Sequence, residues 1–104
     1  RMIWTQIALQ GQDQLRQRVA WVLAQIFAVA TKDIPRGPPS TEIFVNYYDI
    51  FVRHAFGNYR NVLKEVAYNG VMANMLTYYQ SKSTAYEYGR FKHVQFADEN
   101  FARE

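Results

Sequence analysis

Cysteine is absent from the chain, which excludes disulfides, thiolate metal sites and a cysteine nucleophile, and leaves the redox compartment open. Long hydrophobic runs are missing too. The longest, Val19 to Ala30, covers about a dozen residues and contains Gln25, whereas crossing a bilayer takes about 20. No transmembrane span is expected. The net charge is only +3, and its basic residues are scattered as Arg16/Arg18, Arg60/Lys64 and Arg90/Lys92. No helix face is dense in Lys and Arg, which argues against a nucleic-acid partner. Neither a His-x-x-x-His nor a Glu-x-x-His spacing occurs, and there is no phosphate-cradling glycine loop, repeat or strand alternation. The expectation is therefore no metal and no cofactor.

Apolar and aromatic residues dominate what is present. Hydrophobic residues make up 49% and aromatics 16% of 104 residues, too rich for a disordered chain. So much aromatic surface either fills a compact core or is meant for a larger protein or partner. The ends bear on that choice. The chain opens on Arg1, runs straight into the apolar-patterned Met2–Leu9, and closes on Glu104 about one turn into a helical pattern. Residues 1–104 are thus expected to be a single helical fragment of a longer domain, with any targeting signal upstream of Arg1.

Helical periodicity organises the middle. Asp13 is placed to cap a helix running to about Ala30, with Leu15, Val19, Val22, Leu23, Ile26, Phe27 and Ala30 on one stripe. Residues 32–39 read as a loop, because Pro35, Gly37, Pro38 and Pro39 remove donors and disfavour helix. Ser40 then caps a second helix, Thr41 to Phe56, whose stripe holds Ile43, Phe44, Tyr47, Ile50, Phe51, His54 and Ala55. Gly57 suits a left-handed position after that helix, and Asn58 suits the cap of the next, Tyr59 to Tyr68, which buries Val62, Leu63 and Val66. Asn69-Gly70 stops it, and Met72, Met75, Leu76 and Tyr79 mark a fourth. Residues 81–95 hold no period and read as an exposed loop, with a short hairpin possible around Gly89. Asp98 caps a final helix, with Glu99 in its first turn. The fold class is all-α: about five helices in an irregular bundle, part of a larger helical protein.

Four segments carry a resemblance. They are Asp13-Gln14-Leu15-Arg16-Gln17-Arg18-Val19-Ala20, Tyr47-Tyr48-Asp49, His54-Ala55-Phe56-Gly57-Asn58-Tyr59-Arg60 and Asp98-Glu99-Asn100-Phe101-Ala102-Arg103-Glu104. In this order and at these separations the chain resembles the domain-of-unknown-function 1800 family over nearly its whole length. The resemblance implies a large, mostly bacterial type of protein, often exported, with no agreed activity. Compartment stays unknown, with an exported or extracytoplasmic setting, or an organelle assembly, suggested by the resemblance. It also implies that the last motif continues into an apolar helix.

The polar residues of these motifs admit two readings. Asp49, His54, Asn58, Arg60, Asp98, Glu99, Asn100, Arg103 and Glu104 form a candidate polar network that locks helices together. Asp49 and Arg53, like Glu99 and Arg103, are spaced i, i+4 and suit ordinary helix pairs. Asn100 and Glu104 lie beside Phe101, where they are expected to reach His54 or Arg60. Alternatively His54 is a general base tuned by burial, and the carboxylates belong to a catalytic or metal site. His93 reads as a solvated loop residue. The favoured reading is a structural or protein-interaction role, with the remainder of the same polypeptide or a larger complex as partner. The alternative is a hydrolase-like or metal-dependent enzyme, with a site around His54, Arg60 and Asp98–Glu104 completed by residues outside the chain.

Overall fold

The computed structural model describes residues 2–30, 39–92, 94 and 96–104. Among them are seven helices and no strand, so the chain is all-α. The helices are α1 (Met2–Gln10), α2 (Gln14–Ile26), α3 (Pro39–Arg53), α4 (Tyr59–Ala67), α5 (Gly70–Met75), α6 (Thr84–Phe91) and α7 (Asn100–Arg103). Two of these, α1 and α6, lie outside the five expected.

Proline explains where α3 starts. Pro39 is its first residue, where a missing N–H costs nothing and the fixed φ favours the helix. Ser40 therefore lies inside the first turn rather than before it. The rest of the loop expected over 32–39 lies outside the described residues, as do the side chains of Trp4 and His93.

The loop expected over 81–95 needs correction, since α6 occupies most of it. Ser83 Oγ accepts the N–H of Tyr86 at 3.3 Å, capping α6 from the side. The Arg90 guanidinium then bonds the Tyr86 hydroxyl one turn back, at 2.8 Å. Local polar contacts thus make the helix without an apolar period, and Gly89 sits in it with open space around its Cα instead of in a hairpin.

The core gathers Ala20 from α2, Tyr47, Ile50 and Phe51 from α3, Val62 and Val66 from α4, and Val71 and Met72 from α5. Phe51 is its centre: it stacks on Phe27 at 5.9 Å and meets Tyr47 edge-on at 5.2 Å. The Tyr47 hydroxyl donates to the Phe27 carbonyl at 2.8 Å, which uses a carbonyl left over at the end of α2. Burial, helped by the neighbouring Tyr78 phenol, pushes its ionisation well above the ordinary tyrosine range.

The packing face of α2 differs from the apolar stripe. Leu15 is 69% and Ile26 is 61% exposed, whereas Ala20 is fully buried. The face that meets α3 holds Arg16, Ala20, Leu23, Ala24 and Phe27, rotated by about one residue from the stripe. Arg16 makes this possible: its guanidinium donates to the Val52 carbonyl at 2.9 Å and lies 5.0 Å from the centre of the Phe56 ring.

Candidate functional site

The joint between α3 and α4 is built by backbone economy. After Arg53, His54 still donates to Ile50 O at 3.1 Å, and Gly57 N closes a tight turn on His54 O at 2.9 Å. Asn58 then starts α4 immediately, its Oδ1 accepting from Arg60 N at 2.8 Å. Gly57 does not take the left-handed conformation expected of it. The tight turn on the His54 carbonyl makes a left-handed closing residue unnecessary.

This sharp turn brings the second half of α4 against the end of α3. Glu65 is the residue that profits, and its role was not foreseen. Its Oε1 lies 2.6 Å from His54 Nε2, and its two oxygens accept from Arg53 Nη1 and Nη2 at 3.2 and 2.7 Å. Arg53 Nε turns the other way and donates to Asp49 Oδ2 at 2.9 Å. The result is one chain of contacts, Asp49–Arg53–Glu65–His54, across two helices. The bonds from Arg53 and then from His54 hold the Glu65 carboxyl down at about 2, and the bonds to Glu65 and then to Asp49 raise Arg53 above the usual guanidinium range. A signal for Glu65 did exist. It is the only carboxylate in sequence between Asp49 and Glu87, while Arg53 and His54 both need one.

The second polar cluster is separate and joins α5 to α7. Asp98 Oδ1 accepts from Asn100 N at 2.9 Å, and Asp98 Oδ2 lies 2.8 Å from the Thr77 hydroxyl. These two bonds lower the Asp98 carboxyl below its ordinary value. Glu99 occupies the formal cap position of α7, but the capping bond comes from Asp98, reaching two residues on as Asn58 and Asn69 do. Asn100 Nδ2 donates to Leu76 O at 3.3 Å, and Ser81 Oγ accepts from Asp98 N at 3.0 Å. Thr77 is held at φ 66°, a left-handed value uncommon for a β-branched residue.

The residues singled out in the sequence are therefore distributed, not gathered. Asp49 and His54 belong to the first cluster, through Arg53 and Glu65. Asn58 and Arg60 form the cap at its edge, Arg60 through its backbone. Asp98 and Asn100 belong to the second cluster, beside the exposed Glu99–Arg103 pair. Glu104 reaches neither His54 nor Arg60; it stands at the rim of an open groove of about 520 Å³. Ile26, Phe27, Tyr59, Leu63, Met72 and Phe101 supply most of its apolar wall. Among the described residues no three His, Asp or Glu side chains come together as metal ligands. No helix among them is long and apolar enough to cross a membrane.

These features define an irregular all-α unit with an aromatic core, tied by two polar clasps at helix junctions. The chain belongs to the family described as "Protein of unknown function (DUF1800)", whose family model matches residues 1–104. No curated protein and no solved structure matches it.

Proposed function

We propose that this chain serves a structural and protein-interaction role, as a helical platform packed against further helical surface of the same polypeptide or of a larger assembly. The observation that carries this reading is the division of labour in the fold. His54 through Glu65, and Asp98 and Asn100, bond across helix junctions, and the open groove is walled by apolar side chains. Apolar surface of this kind is a mark of contact with another protein surface.

Surface area supports the same reading. The chain exposes 8085 Å². A compact monomer of its 12.2 kDa would expose about 6,100 Å². Leu15, Trp21, Val22 and Ile26 on the outer side of α2 contribute to the excess.

Ile26→Arg in the intact protein tests it. On a solvated surface such a change is neutral within about 0.5 kcal/mol. On a covered surface it strands a charge, and a loss of about 2 kcal/mol or more is expected, read as a lowered denaturation midpoint or a broken assembly. Unchanged stability together with unchanged hydrodynamic size would remove the support for a packed platform.

A further inference from the structure

His54 has two ring nitrogens, and the fold consumes only one of them. Nε2 faces Glu65 Oε1 at 2.6 Å. Both terminal nitrogens of Arg53 grip the same carboxylate, at 3.2 and 2.7 Å, and keep it ionised. An ionised carboxylate only accepts, so Nε2 must carry the proton. When the ring is neutral it therefore presents a bare lone pair on Nδ1.

That lone pair is open. Among the described residues Nδ1 has no hydrogen-bond partner, and none of the buried side-chain nitrogens and oxygens there lacks one, so Nδ1 is reached by solvent. The His54 side chain is 19% exposed. Gly57 lies over the opening: a Cβ built there would stand 3.4 Å from Nδ1 and from the His54 carbonyl oxygen. The backbone does not demand glycine, since Gly57 avoids the left-handed region. What the missing side chain leaves is access to Nδ1.

We infer that His54 Nδ1 is a proton-accepting binding site for a neutral donor, water or a hydroxyl group, in which Glu65 is the positioning residue and Gly57 keeps the approach clear. An imidazole whose far nitrogen is tied to a carboxylate has its tautomer and aim set in advance. The charges around it favour a neutral ligand. The Asp49 and Glu65 carboxylates are matched by the Arg53 and Arg16 guanidiniums at the same helix end. This site goes beyond the packing role and stands or falls independently of it.

The test uses intact protein labelled with nitrogen-15 in histidine, the signal lost in His54→Gln identifying the ring. In mildly alkaline buffer the expected pattern is a protonated Nε2 and an unprotonated, pyridine-like Nδ1. Diethyl pyrocarbonate, which attacks the bare nitrogen, is expected to modify His54 readily in the wild type and much more slowly in Gly57→Ala. Glu65→Gln is expected to give a mixture of tautomers, a readout that a purely packing role for His54 would not move. A proton on Nδ1 in the wild type overturns the inference. So does a reagent rate that Gly57→Ala and Gly57→Val leave unchanged.

Discussion

At the scale of single residues, Glu65 shows how one carboxylate can serve two neighbours. It is 35% exposed, so water screens part of each contact, yet three hydrogen bonds converge on it from two consecutive residues at the end of α3, Arg53 and His54. Removing it leaves Arg53 with one partner and the half-buried His54 with none on Nε2. Glu65→Ala is expected to cost about 1–2 kcal/mol after allowance for that screening. Asp49→Ala removes only an exposed i, i+4 pair and is expected to stay within about 0.5 kcal/mol. Urea denaturation of both variants distinguishes them. The pH dependence follows from the direction of the Glu65 shift. Its folded-state value, about 2, lies below the ordinary 4.5, so the folded state holds the proton less tightly than the unfolded chain. The contribution is complete above the ordinary value and is lost as pH falls from about 5 towards 2. The gap in urea midpoint between wild type and Glu65→Gln should therefore be present near neutrality and close in acid.

At the scale of elements, the caps at Asn58 and Asp98 were legible. Asp13, by contrast, precedes α2 without a side-chain capping bond, its Oδ2 accepting from Gln17 Nε2, and Ser40 lies inside α3. Asn58 takes the N–H two residues on, as a short polar side chain before a helix is expected to. Asn69 does the same at α5, where Asn69-Gly70 was expected only to stop the preceding helix. Asn58→Ala is expected to cost about 1 kcal/mol, measured by thermal or chemical unfolding. Asp98 was legible in the same way, but not its second bond to Thr77, which depends on where α5 ends in space. Asp98→Ala is expected to release α7. The amides of Ala102, Arg103 and Glu104, bonded back to Glu99 and Asn100, should then exchange hydrogen at unprotected rates while those of α4 stay slow. The face of α2 was misread because apolarity alone cannot say which residue lies deepest. Small Ala20 permits close approach to α3, and Arg16 supplies both stem and charge at the contact. The helix α6 escaped notice for the opposite reason: its stabilising bonds are local and polar, and periodicity of apolar residues does not detect them.

At the scale of the whole molecule, the chain is extended for its size. Its radius of gyration is 16.9 Å with extents of 59 × 33 × 16 Å. A compact domain of this length has a radius near about 13 Å. One small aromatic cluster must hold such a shape, so stability is concentrated in few side chains. Phe51 touches both α2, through Phe27, and its own helix neighbour Tyr47, and it is fully buried. Phe51→Ala is expected to cost about 3–5 kcal/mol, a large part of what a domain this small can possess. Circular dichroism of the variant should show a lowered or vanished melting transition. Retention of the wild-type midpoint would mean that the core lies elsewhere.

By itself the sequence determined the helical class, the cap at Asn58 and the capping role of Asp98, whereas His54, expected inside a helix stripe, stands in the turn just after α3. Class and caps depend on spacing along one chain and on local backbone chemistry, and both are written in the order of residues. Only the tertiary structure decided the partners. Glu65 meets His54 because a tight turn at Gly57 folds α4 back beside α3. Asn100 meets Leu76 rather than His54 because α7 rests on the end of α5. Whether a polar side chain is consumed or left available depends on such crossings between helices, and no periodicity along the chain encodes them.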